Sequence, residues 1–161
     1  VKERFLQDKG LLDFIPKIRE LIEKFHENIM FPVDLAVRRN ALREEISLAE
    51  LPTNDMIFDI GEVTANAYAR EIKKADLVIM NGPVGKFESY QFAFGTRKIL
   101  EALTEASGFT LVGGGDTVTA LTRLGFKNKE FGHVSLAGKA LLMLLAGERL
   151  AGLEALASIS K

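Results

Sequence analysis

The stretch Phe109-Thr110-Leu111-Val112-Gly113-Gly114-Gly115-Asp116-Thr117 decides the fold of this 161-residue chain. An apolar run of strand character ends in three glycines, an acid and a threonine, and helical sequence follows. Glycine lets a backbone approach an anion closely, and the first N–H groups of a helix have no partner within it. Strand, glycine turn and helix in that order can cradle phosphate; the plainer reading is a tight strand-to-helix joint. Asp116 could hold the Mg²⁺ that accompanies a nucleotide, because a hard cation prefers carboxylate oxygen. An acid in a helix's first turn also serves as a cap.

Working outward, Asp76-Leu77-Val78-Ile79-Met80 reads as a second buried strand, and it too ends in a glycine turn, Asn81-Gly82-Pro83-Val84-Gly85. Strand and helix alternate through Leu77–Met80, Gln91–Ala106 and Phe109–Val112, then a helix over Thr117–Leu124. That alternation predicts parallel strands with helices on the faces. Ligands of such sheets lie outside the carboxyl ends of the strands, so the two turns are expected on one rim.

Earlier in the chain, Leu11, Phe14, Ile15, Ile18, Leu21, Ile22 and Phe25 fall on one face of a helix over Gly10–Glu27, with Pro16 tolerable in its first turn. Ile29–Val33 reads as a strand ending near Asp34. Arg38–Pro52 is a charged excursion, either solvated loop or β-hairpin. Met56–Ile60 is a further strand, and a helix over Thr64–Lys74 takes Thr64 as its N-cap. Late in the sequence, a loop at Lys127–Glu130 leads to a strand or loop at His133–Leu136. An apolar helix over Ala137–Ala146 follows, stopped by Gly147.

Composition narrows the function. Apolar residues make up 47% and charged residues 27%, with a formal net charge of −1, so no basic field would gather nucleic acid or an anionic membrane. There is no cysteine, hence no disulfide or thiolate metal site, and His26 and His133 alone make a poor zinc pair. No apolar run is long enough to cross a bilayer. Gly82 to Lys86 is too short for a P-loop and lacks its hydroxyl, and a dinucleotide fingerprint starting at Gly113 fails at Val118.

Asn81-Gly82-Pro83-Val84-Gly85-Lys86-Phe87-Glu88, followed by Phe92-Ala93-Phe94-Gly95-Thr96, resembles the nucleotide segment of the phosphoglycerate kinase family. Gly113-Gly114-Gly115-Asp116-Thr117 is similar to that family's second signature. Phe31-Pro32-Val33-Asp34, Phe58-Asp59-Ile60-Gly61 and His133-Val134-Ser135 with Gly138 match further pieces. The resemblance implies an α/β fold, a three-layer Rossmann-like parallel sheet with helices on both faces. Residues 1–161 would form one incomplete domain, the C-terminal nucleotide-binding part of a two-domain kinase. Its reaction moves the acyl phosphate of 1,3-bisphosphoglycerate to Mg-ADP, reversibly, giving 3-phosphoglycerate and ATP. The cofactors implied are ATP or ADP and Mg²⁺, and the parent is expected to be cytoplasmic and monomeric.

Residue by residue, the resemblance assigns catalytic roles to Gly114, Gly115 and Thr117. Nucleotide binding falls to Asn81, Gly82, Phe87, Glu88, Gly113, Gly114, Gly115, Asp116 and Thr117, and metal binding to Asp116. Glu88 would take the ribose hydroxyls; Phe87 would pack near the nucleoside or serve the core. Lys86 gets no phosphate role. The family's closing glycines are missing from Ser135-Leu136-Ala137-Gly138-Lys139, which departs from type. Also missing are the phosphoglycerate domain and a lysine-bearing glycine-alanine segment, so the chain alone is expected to be inactive. Two alternatives stand beside this reading: a non-catalytic nucleotide-binding module, and a Mg-dependent phosphatase-like domain using Asp34 and Asp59.

Overall fold

The computed structural model describes residues 6–159. Its centre is a parallel three-stranded sheet of β4 (Leu77–Asn81), β5 (Phe109–Gly113) and β6 (His133–Ser135), in the order β4-β5-β6. Leu77 pairs with Phe109 and Asn81 with Gly113, while Gly113 also pairs with Ser135. Both glycine-tipped runs thus form strands in the expected direction. The rim they share carries Asn81, Gly113 and Ser135 side by side.

Helices α3 (Phe94–Thr104) and α4 (Gly115–Arg123) follow β4 and β5. Side chains alternate across a strand, so Met80 and Val112 share a face, and they pack there on Ile99, Leu100 and Leu103 of α3 and Leu121 of α4. Tyr68 and Ile72 of α2 (Glu62–Lys74) close the edge of that core. Leu77, Ile79 and Phe109, on the other face, are 57%, 39% and 53% exposed.

The earlier strands depart from the single-sheet expectation. β1 (Asp34–Arg39), β2 (Leu42–Ser47) and β3 (Met56–Ile60) make a separate antiparallel sheet, ordered β2-β1-β3. The charged excursion is a hairpin, turning on Asn40 (φ 49°) and Ala41 (φ 65°). Positive φ at both turn residues is the type I′ signature that suits the twist of paired strands.

Asp34 begins a strand; it does not end one. Pro32 has no N–H, and the amides of Val33 and Asp34 both donate to Thr64 Oγ1, at 2.9 and 3.2 Å, in place of a strand partner. Nor is Thr64 the N-cap. Gly61 holds that place, and the Asp34 carboxylate accepts from the amides of Val63 (2.9 Å) and Thr64 (2.8 Å) and from the Thr64 hydroxyl. A strand residue thus satisfies the open helix donors from thirty positions away.

The amphipathic pattern near the start does give a helix, α1 (Ile15–Phe25), with Pro16 in its first turn. Its stripe stays open, however: Phe14, Ile18 and Leu21 are 54%, 50% and 49% exposed, and no residue of α1 is buried. The last two helices are α5 (Lys139–Leu145) and α6 (Ala151–Ile159).

Candidate functional site

The two glycine turns meet. Gly82 N–H donates to Thr117 Oγ1 at 2.7 Å, which ties the turn after β4 to the first turn of α4. At the other end of the same turn, Arg123 Nη2 donates to the carbonyl of Glu88 at 2.8 Å. The segment from Gly82 to Glu88 is therefore laid along α4 and fastened at both ends.

The floor of the rim is close-packed backbone. Gly114 has φ 94°, and a Cβ there would lie 2.7 Å from Asn81 Oδ1. Its amide donates to the Ser135 carbonyl (3.1 Å), while Asn81 Nδ2 donates to the Gly138 carbonyl (3.3 Å). Gly113 is pressed on Leu141 of α5, where a Cβ would fall 2.4 Å from a methyl carbon. Gly82 (φ 107°) and Gly115 differ: nothing lies within 4 Å of a Cβ at either. They border open space.

The first bond of α4 runs from Val118 N–H to the Gly114 carbonyl, so the amides of residues 115–117 precede it. Asp116 is exposed, makes no capping bond, and its carboxylate has no hydrogen-bond or ion-pair partner among the described residues. The cap reading of Asp116 does not hold. Thr117 is fully buried and spends its oxygen on Gly82; the hydroxyl proton remains able to donate.

Glu88 is exposed, and among the described residues only its main chain is hydrogen-bonded. Phe87 is 7% exposed and packs with Ala93 and Ala120, so its ring supports the turn from beneath. Lys86 turns its ammonium over the Phe58 ring, 4.8 Å from the centroid. A cleft of about 380 Å³ opens beside it, walled by Arg38, Ala41, Phe58, Lys86, Tyr90 and Phe92.

The acids that raised a phosphatase alternative are committed elsewhere. Asp34 is engaged at the head of α2. Burial would lift its carboxyl, but the Thr64 hydroxyl and the Thr64 and Val63 amides outweigh that and hold it below the ordinary range. Asp59 is buried and faces Arg43 and the amide of Gly95; burial prevails there and pushes its carboxyl up. No group of three or more acids or histidines among the described residues could hold a metal. His26 and His133 are both exposed, and Ser135 Oγ accepts from the Ala137 amide (3.1 Å). Sequence reasoning missed Arg43 as a residue that touches the site's supports. Its only signal was a basic side chain in a hairpin, which spacing cannot connect to Asp59.

The family model described as Phosphoglycerate kinase matches residues 2–148. A phosphoglycerate kinase of Methanopyrus kandleri is 37% identical over 153 residues, covering 95% of this chain and 37% of that protein. One from Methanothermobacter thermautotrophicus is 40% identical over 91% of this chain and 35% of its own length. The crystal structure of phosphoglycerate kinase from Pyrococcus horikoshii superposes with a TM-score of 0.86 at 36% identity, over 95% of this chain and 38% of that one. This chain therefore spans little more than a third of the length of these relatives, and within that span it belongs to the phosphoglycerate kinase family.

Proposed function

We propose that residues 1–161 are a partial C-terminal domain that forms the nucleotide side of a phosphoglycerate kinase, with the rim of β4, β5 and α4 receiving the phosphates of ADP or ATP. One observation carries this reading: the Gly82–Thr117 hydrogen bond brings two donor-rich turns onto one rim, beside an exposed acid with no partner among the described residues. The open space at Gly82 and Gly115 leaves room for phosphate oxygens against the main chain. The amides of Gly115, Asp116 and Thr117 aim the positive end of α4 at them. Gly114, with its left-handed backbone, holds that turn open, and Thr117 locks it to Gly82.

A lone exposed carboxylate fits a cation whose other ligands are phosphate and water, as Mg²⁺ on a nucleotide prefers. When bound, Mg²⁺ would neutralise polyphosphate charge at Asp116. Glu88 offers two acceptor oxygens to the ribose hydroxyls. The base is read as seated in the aromatic-walled cleft that begins at Lys86. Asn81 and Gly113 shape the floor.

The parent reaction is reversible in-line transfer between 1,3-bisphosphoglycerate and Mg-ADP, and fixed donors on the rim would stabilise the charge on the moving phosphoryl group. Phosphoglycerate would be supplied through the part of the family's chain that lies outside this one. The parent enzyme is read as a cytoplasmic monomer. Because this chain spans only about a third of its relatives, binding without turnover is the second reading for the chain alone.

Calorimetric titration with Mg-ADP tests the site. Asp116→Ala and Glu88→Ala are each expected to weaken binding about tenfold, the loss of one contact to a charged group. Binding unchanged by both substitutions would overturn the assignment. ATP formation by the isolated chain from 1,3-bisphosphoglycerate would overturn the claim that it binds without turnover.

A further inference from the structure

Asp59 is the most buried acid in the molecule's described part, its side chain fully shielded from solvent. A carboxylate in that position must be matched by donors. Its Oδ1 accepts from the amide of Ile60 at 2.9 Å. Its Oδ2 accepts from Arg43 Nη1 and from the amide of Gly95, each at 2.8 Å. Gly95 lies in the first turn of α3, so the acid bonds the head of that helix.

The turn between β4 and α3 rests on this carboxylate. A Cβ at Gly85 would lie 2.2 Å from Asp59 Oδ1, so the bare main chain of Gly85 is seated against it. On either side, Gly85 N–H donates to Thr96 Oγ1 (3.2 Å) and Lys86 N–H to the Phe58 carbonyl (2.8 Å). Arg43 reaches across from β2. Besides Asp59, it donates to the carbonyls of Ile60 (3.1 Å) and Gln91 (3.3 Å) and to Glu45 Oε1 (3.0 Å), and its guanidinium lies over Phe94 at 5.2 Å. One planar fork therefore joins the hairpin, the end of β3 and the segment that leads into α3.

We propose that the Arg43–Asp59 pair is a positioning device for the nucleotide turn, setting where Gly85, Lys86 and hence Glu88 stand. The proposal rests on the reading of that turn as nucleotide-binding. Neither residue touches the rim. They act through Gly85 and Gly95, whose lack of side chains lets the acid sit against both. Lysine in place of Arg43 could keep one contact to Asp59 but not the four-way fork.

The test uses the whole chain and two readouts: hydrogen exchange of residues 82–88, and calorimetric affinity for Mg-ADP. The control is Arg39→Met. Arg39 sits on the same sheet and forms its own ion pairs with Asp55 and Glu44, both at 2.8 Å, away from the turn. Arg43→Met is expected to speed exchange across the turn and to weaken Mg-ADP, each about tenfold, since an acid left half-paired in the interior loosens what rests on it. Arg43→Lys should fall between, and Arg39→Met should leave both readouts within about twofold. If Arg43→Met does not fold, the Arg43→Lys and Arg39→Met pair decides the matter by exchange alone. Turn exchange in the Arg43 variants no faster than in Arg39→Met would overturn the proposal. Failure of the unaltered chain to bind Mg-ADP would instead overturn the nucleotide reading, while exchange still judges the pair.

Discussion

Gly114 stands against Asn81 so closely that the smallest side chain would collide with it. A Cβ at Gly114 falls 2.7 Å from Asn81 Oδ1, on a backbone already at φ 94°. Gly115, one residue on, has neither constraint: no atom lies within 4 Å of its Cβ position, and it takes up the helical conformation of α4. The two adjacent glycines therefore serve different links of the chain from sequence to function, one folding and the other access.

Alanine substitution should separate them. Gly114→Ala is expected to cost about 1–3 kcal/mol of stability, from strained backbone and the clash with Asn81. Gly115→Ala should change stability by less than about 0.5 kcal/mol yet weaken Mg-ADP, because its methyl group would occupy space read as belonging to phosphate. Thermal unfolding and titration of both variants check this. A Gly115→Ala protein that binds as well as the unaltered chain would remove Gly115 from the site.

Thr117 gives a sharper probe of the joined turns. Thr117→Val keeps shape and volume but leaves the Gly82 amide without its 2.7 Å acceptor. Because Gly82 is only part-buried, the lost bond is expected to cost about 1 kcal/mol, and the turn should also show faster amide exchange at Gly82. Thr117→Ser retains the oxygen and should behave almost as the unaltered chain. A loss for serine with none for valine would mean that the methyl group, not the bond, matters.

The hairpin offers a stabilising change. Ala41 sits at φ 65°, where an L side chain is disfavoured, and the type I′ turn it completes prefers asparagine followed by glycine. Asn40 already fills the first place. Ala41→Gly is expected to raise stability by about 0.5–1 kcal/mol, the relief of left-handed strain less glycine's larger unfolded-state entropy. Denaturant midpoints at equal slope are the measurement, and a lowered midpoint would show that strain at Ala41 is already relieved.

How much of this was legible follows from how local each feature is. The strands 77–81 and 109–113 announce themselves, since apolar runs ending in glycine need only their own residues to be read. Both turns came with them, and so did Asp116 at the head of the next helix. Asn40-Ala41 left the hairpin as one of two readings, because its turn lacks the usual glycine. Asp34 was misplaced by contacts with Thr64 thirty residues away, and the packing of Phe87 on Ala93 and Ala120 depends on neighbours outside its own turn. The Arg43–Asp59 pair spans two elements that no spacing rule connects. The α1 stripe shows the converse: periodicity predicted the helix correctly but could not say what covers its face.

Acid should unpick the Asp34 cap. The donors from Thr64 and Val63 overcome burial and lower its carboxyl in the folded state. A folded value below the unfolded one means the unfolded chain binds the proton more readily as pH falls. The stabilisation is therefore complete above the unfolded carboxylate value of about 3.9 and disappears as pH drops through the folded value. Asp59 carries the opposite sign: its carboxyl is raised, so its contribution is fullest below the unfolded value and is lost as pH rises through the folded one. Comparing the unaltered chain with Asp34→Asn isolates the first term. Near neutral pH the variant should be less stable by about 1–3 kcal/mol, the loss of charge-assisted bonds to two amides and a hydroxyl. Below a pH of about 4 the gap should close, because the native acid is then becoming neutral as well. A gap that stays constant from neutral pH into acid would show that Asp34 works by shape alone, its charge contributing nothing to the head of α2.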